Sequence, residues 1–196
     1  MVAEAKLEQR EGGLTPAGEG WFVVNVSEGA WITSPAFDSE CVFEGSRFKD
    51  IGIALAVLAP GRPNSLYHRE IHNQEDFLVL SGECLLLIED EERALKAWDF
   101  VHCPPGTDHI FVGAGDGPCV ILMVGARKDS AIVYPRSELA LRHGAGVEVE
   151  ALSGREAYAQ YPGWQPGGAE IWNAVIGANA GPSGAHAGAH SAAEHH

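Results

Sequence analysis

The stretch Tyr67–Glu83, "YHREIHNQEDFLVLSGE", sets two histidines and four acidic residues at the entry to an apolar run. In an extended strand, side chains two apart share a face, so His68, Glu70 and His72 can point the same way. Glu75 opens the next run after the short bend "HNQE", and "DFLVL" continues it as a buried strand. Further on, "CPPGTDHIF" places His109 just past a Pro-rich turn, at the head of another strand. Imidazole nitrogens and carboxylate oxygens are a standard ligand set for first-row divalent metals. Such groups gathered on the inner wall of a small β-barrel would be costly to bury without a cation.

Outward from this stretch the pattern repeats. "IGIALAVLAP", "DFLVL", "CLLLIE", "RALKAW", "DFVHCP", "HIFVG" and "CVILMVGA" are short apolar runs. The connectors "APGRPN", "SGE", "EDEE", "PPGT" and "GAGDGP" are rich in Gly, Pro, Asp and Ser, which suit turns. Closely spaced short strands predict an all-β sandwich or barrel. Neither a strand–helix alternation nor a long internal repeat appears. Helix is expected only late. "PRSELALRHGAG" has Ser137 as N-cap and Gly144 as C′ residue, and "SGREAYAQY" pairs Ser153 with Glu156 in capping-box spacing. The expected layout is a flexible lead-in over 1–18, a barrel over 19–130, and an extension over 131–176 packed on the barrel. Trp164 and Trp172 would anchor that extension. Residues 177–196, Gly-, Ala- and His-rich, are expected to be a disordered tail, and its histidines, His186, His190, His195 and His196, are set aside from the fold.

The net charge of −14 argues against nucleic acid and anionic membrane as partners, since both need clustered Lys and Arg. No apolar run approaches the roughly 20 residues of a membrane span. The charged N-terminus lacks the apolar core of a signal peptide, so the expected location is cytoplasmic. Cys41, Cys84, Cys103 and Cys119 form no CxxC pair and read as buried, reduced thiols.

Two spacings carry a resemblance. The first is Gly61, six residues, His68-x-Glu70, four residues, Glu75, six residues, Gly82. The second is Trp98, five residues, Pro104-x-Gly106, two residues, His109, three residues, Gly113. Together they resemble the paired motifs of the cupin superfamily, over roughly residues 51–126. The flanking "WDFVHCPPGT", "GAGDGPC" and "YP…RHGAGVE" further resemble a group of small single-domain bacterial cupins. The resemblance implies a single jelly-roll barrel with two short C-terminal helices outside it. It also implies one divalent metal held by His68, Glu70, Glu75 and His109. Glu70 stands where the family pattern has a second histidine, so the set becomes two His and two carboxylates. That harder set favours Fe(II), Mn(II), Ni(II) or Zn(II) over Cu(I). With Glu70 off the metal, the remainder is the two-His, one-carboxylate set of non-haem iron oxygenases, and Glu70 is free to act as a base. Trp98 and Gly113 replace the pattern's Gly and Asn, both read as turn positions.

Blander roles are expected for the neighbours. His72 falls in the turn and reads as exposed or supporting. His102 reads as a satisfied core or rim histidine, and Tyr67 and Trp98 as packing. Arg69 points outward. Cys103 beside the second motif is not expected to be a nucleophile, and His143 reads as a cation in a last helical turn. The expected function is metal-dependent chemistry on a small molecule, of dioxygenase, isomerase or lyase type, with Glu70 as catalytic base. The alternative is a cupin that binds metal or a small ligand without turnover. The apolar runs predict a compact, hydrophobic substrate and count against a sugar-type isomerase. A homodimer is an open expectation, with "WFVVNV" (21–26) as the candidate edge strand.

Overall fold

The computed structural model describes residues 1–42, 48–167 and 175. It is built mainly from short antiparallel strands. An N-terminal hairpin joins β1 (Lys6–Arg10) to β2 (Gly13–Ala17). Then come β3 (Trp31–Thr33), β4 (Ser39–Val42), β5 (Ile51–Leu58), β6 (Arg69–Glu70), β7 (Glu75–Ser81) and β8 (Glu83–Ile88). After these lie β9 (Glu91–Lys96), β10 (Phe100–Cys103), β11 (His109–Ala114), β12 (Cys119–Ala126) and β13 (Ile132–Val133). Helices α1 (Glu138–Arg142) and α2 (Gly154–Ala157) and strand β14 (Gln165–Pro166) come last.

Two sheets enclose the interior. One runs β10-β7-β12-β5-β4-β3-β14, the other β11-β8-β9. Phe77, Val79, Leu86, Phe111 and Ile121 meet between them in a buried core. β7 shows the alternation that one-sided burial demands: Phe77 and Val79 are buried while Asp76, Leu78 and Leu80 are only partly so. β11 shows none, because both its faces are covered. His109 and Phe111 face the core, while Ile110 and Val112 pack on Leu139, Ala140 and Ala145 of the α1 region.

The late helices form where their caps predict. Ser137 Oγ accepts the Ala140 N–H, Gly144 turns the chain at φ +68°, and Ser153 Oγ accepts the Glu156 N–H. Glu156 reaches the Leu152 N–H, so it ties down the residue before the cap. Trp164 packs on Phe37 at 6.3 Å, as an anchor should, whereas Trp172 and the His-rich tail lie outside the described residues. β14 adds itself to the sheet beside β3.

Three expectations need correction. Residues 6–17 of the lead-in form the β1–β2 hairpin, whose pairing depends on the backbone rather than on apolar alternation. "WFVVNV" forms no edge strand. Trp21 makes only a bridge to Glu4, and Asn25 caps a 3-10 turn over Val26–Glu28 by accepting the Ser27 N–H. Gly113 is not at a turn but inside β11. Its bare Cα admits the Ala59 carbonyl oxygen, which would stand only 2.1 Å from a Cβ at this position.

Candidate metal centre

Three segments deliver the centre. Glu75 opens β7 in phase with Phe77 and Val79, so its side chain turns toward the interior. His109 opens β11 in phase with Phe111. His68 lies just before β6, directly across from His109. The His68 N–H donates to the His109 carbonyl at 3.2 Å, and the His109 N–H returns the bond at 2.9 Å. Directly opposed residues share a face, which brings the two rings to 5.1 Å.

Backbone carbonyls fix both rings. His68 Nδ1 lies 2.7 Å from the Leu66 carbonyl, and His109 Nδ1 lies 3.0 Å from that of Thr107. A carbonyl only accepts, so in the neutral imidazoles the proton sits on Nδ1 and the lone pair on Nε2. Those Nε2 atoms stand 3.8 and 3.4 Å from Glu75 Oε2. One ligand atom from each of His68, Glu75 and His109 lies within 4.8 Å of the others. Glu75 Oε2 is buried and accepts no hydrogen bond from the described residues.

Burial dominates the electrostatics. It pushes the Glu75 carboxyl up to about 7, with the nearby Glu70 charge adding to the effect. It pushes His109 down to about 3, helped by His68, and lowers His68 as well. With Glu75 ionised, the arrangement is two nitrogen lone pairs and one carboxylate oxygen with no proton donor between them. An orphaned, buried acceptor among acceptors is what a cation would satisfy. The donor set fits a divalent ion of the Fe, Mn, Ni, Zn group.

The fourth expected ligand stands apart. Glu70 lines the same cavity, but its carboxylate lies outside the 4.8 Å group and Oε2 accepts the Asn73 amide at 3.2 Å. The neighbours are accounted for. His72 is exposed and bonded to Asp129 at 2.6 Å, and His102 is paired with Asp76 at the same distance on the outer face. Arg69 makes two hydrogen bonds to Asp108, and Tyr67 is buried with its hydroxyl oxygen accepting the Asp90 N–H. His143 caps α1 and meets Glu92 at 2.9 Å. All four cysteines are buried and free, and burial pushes the Cys103 thiol up to about 12, which keeps it protonated and unreactive. Trp98 does not pack. It is 76% exposed at φ +76°, on the β9–β10 turn.

The cavity has a volume of about 410 Å³. Phe77, Phe111 and Met123 form apolar wall, but Asn64, Ser65, Asn73, Arg127 and Ser130 make the rest polar. The expected hydrophobic cavity is thus wrong by half. The polar groups come from connectors beside the apolar runs, where strand periodicity carries no information on which way a side chain points. Asn64 is the clearest case. Its Oδ1 accepts the Phe111 N–H at 3.1 Å, while among the described residues Nδ2 has only the Met123 sulfur, at 3.7 Å.

Residues 54–125 match the family model for the cupin domain. An uncharacterized protein of Methanocaldococcus jannaschii is 28% identical over 76 residues, 38% of this chain and 61% of that protein. The chain thus spans about three fifths of the curated relative it matches. Among solved structures, it is similar to a putative sugar phosphate isomerase from Acidithiobacillus ferrooxidans. That match has 25% identity and a TM-score of 0.43, and covers 48% of this chain and 63% of that one. It is also similar to a predicted oxalate decarboxylase from Thermotoga maritima, at 21% identity and a TM-score of 0.45, covering 53% and 97% of the two chains. A polyketide cyclase from Streptomyces resistomycificus matches at 14% identity and a TM-score of 0.49, covering 56% and 82%. No helix among the described residues is long and apolar enough to cross a membrane. The two motif spacings, the jelly-roll strand order and the family match converge on one reading: residues 54–125 of this chain are a cupin domain.

Proposed function

We propose that this protein is a metal-dependent cupin that acts on a small, oxygen-bearing molecule at one divalent transition metal. The observation that carries the reading is the convergence of His68 Nε2, His109 Nε2 and the unpartnered Glu75 Oε2 within 4.8 Å at the wall of a cavity. When bound, such an ion supplies Lewis acidity for isomerase- or lyase-type proton transfer or, as Fe(II), oxygen chemistry of the dioxygenase type. His68 and His109 hold their rings through the Leu66 and Thr107 carbonyls, and Glu75 supplies the anionic ligand. Glu70, off this set, is the proposed catalytic base. Asn73 engages Oε2, which leaves Oε1 to take a substrate proton. The polar half of the wall favours a substrate with hydroxyl or carbonyl groups over a purely hydrophobic one.

Elemental analysis of protein purified without a metal column tests the first claim. The expected result is about one equivalent of a single transition metal, lost in His109→Ala. No metal after reconstitution would leave a small-ligand-binding cupin without turnover as the better reading. Glu70→Gln tests the second. It should keep the metal and the fold while abolishing turnover, or the substrate-dependent spectral change, by about 10²-fold or more. Parental behaviour with every ligand tried would remove Glu70 from the chemistry.

A further inference from the structure

The two histidine rings are tethered by different means. The His109 acceptor, the Thr107 carbonyl, belongs to the turn before β11, where Thr107 N–H and Oγ1 both donate to the Pro104 carbonyl at 3.2 and 2.8 Å. That tether is local and lies inside the cupin domain. The His68 acceptor is the Leu66 carbonyl, and the segment carrying it is held from far along the chain. The Leu66 N–H donates to Tyr158 Oη at 3.1 Å. The Tyr67 N–H, in the same planar peptide unit as the Leu66 carbonyl, donates to the Ala145 carbonyl at 2.7 Å. Both peptides flanking Leu66 are therefore fixed by residues beyond the cupin match.

Packing makes these ties firm. The Leu66 side chain is fully buried beside Phe37, Tyr134, Val147, Ala151 and Ala157. The Tyr158 ring meets Phe37 at 5.4 Å and Tyr134 edge-to-face at 5.7 Å. Tyr134 in turn lies 5.7 Å from the His68 ring. A buried N–H left without an acceptor is unfavourable, so removing the Tyr158 oxygen should make the Leu66 peptide seek another orientation.

We infer that Tyr158 is a positioning residue for His68, acting through Leu66 to aim the carbonyl that holds the ring's Nδ1–H. The C-terminal extension thereby sets the aim of one histidine of the centre while the barrel itself sets the other. The inference rests on reading His68 as a ligand, but its structural part does not need the metal.

Tyr158→Phe is the test, with Tyr161→Phe as the control. Tyr161 packs on the same Phe37, at 5.0 Å, without touching Leu66 through a hydrogen bond. The probe is Zn(II) titrated against a competing chelator. Tyr158→Phe should bind it about tenfold or more weakly, in the range of other outer partners of metal-ligating histidines, while Tyr161→Phe binds as the parent does. In metal-free protein, ¹⁵N NMR should show a protected His68 Nδ1–H that is lost or averaged in Tyr158→Phe, with His109 unchanged. Parental affinity and an unchanged His68 signal in Tyr158→Phe would overturn the inference, as would equal weakening in both variants, which marks a general packing loss. If the parent binds no Zn(II), the metal reading fails and the NMR comparison alone decides: a lost His68 signal in Tyr158→Phe upholds the positioning role, and a retained one refutes it.

Discussion

Glu75 is the residue on which the centre turns, and it makes a pH-dependent prediction. Its carboxyl is raised from 4.5 to about 7, chiefly by burial. In metal-free protein it therefore contributes stability that is fully present below its unfolded value, and loses it as pH rises through about 7. Glu75→Gln removes this loss. Denaturant melts of the chelated proteins should show the parent losing stability between pH 4.5 and 7 relative to the variant, with a ceiling of roughly 3 kcal/mol at about 1.4 kcal/mol per unit. Saturating metal should reverse the ranking at neutral pH, because the ion needs the ionised carboxylate. A flat difference between the two chelated proteins would show that Glu75 keeps an ordinary pKa. At this scale the sequence is informative where a strand phase or a motif spacing speaks. His68, Glu75 and His109 can be named from it because each stands in register with an apolar neighbour or at a family position. The Glu70–Asn73 and Asn64–Phe111 bonds cannot, since they depend on how loops fold back over the strand ends.

Elements show the same division. The strands flanking the centre announce themselves as apolar runs between turn residues. β1, with the sequence KLEQR and almost full exposure, does not; it pairs with β2 through its backbone, and Gly13 lets that hairpin approach Gly29 closely enough that a Cβ would stand 2.0 Å from its carbonyl oxygen. Two substitutions probe what single positions contribute to their elements. Gly113→Ala forces a Cβ to 2.1 Å from the Ala59 carbonyl, between two segments that cannot both move, and should cost about 1–3 kcal/mol or more in denaturant unfolding. Trp98→Gly should do the opposite. A bulky residue at φ +76° is strained by about 1–2 kcal/mol, and the exposed indole has little burial to lose. A stability gain on the order of 1 kcal/mol is expected, and a loss would mean that the Trp98 ring makes contacts that outweigh the backbone strain.

For the molecule as a whole, the question is whether the barrel stands without the segments beyond residue 130. Residues 54–125 are the recognisable cupin domain, yet two of its buried surfaces are completed from outside. Leu139, Ala140 and Ala145 cover Tyr67, Leu87, Ile110 and Val112. Tyr134, Val147, Ala151 and Ala157 cover Phe37 and Leu66. Each large side chain returned to water costs about 1.5–3 kcal/mol, and a domain's whole margin is about 5–15 kcal/mol. A chain ending at residue 130 should therefore lose its cooperative thermal transition, or melt more than about 10 °C lower, in near-UV circular dichroism. A truncated chain melting within a few degrees of the parent would show a self-sufficient barrel and make the extension an accessory. The sequence marks the helices of this extension by their caps but not its reach, because Tyr158 and Leu66 meet only through tertiary packing across 92 residues. That distance separates the two outcomes functionally as well. A barrel that folds alone would keep His109 anchored by its own turn while leaving the Leu66 carbonyl that holds the His68 ring unaimed, so a truncated yet folded chain should bind a divalent ion more weakly than the full one.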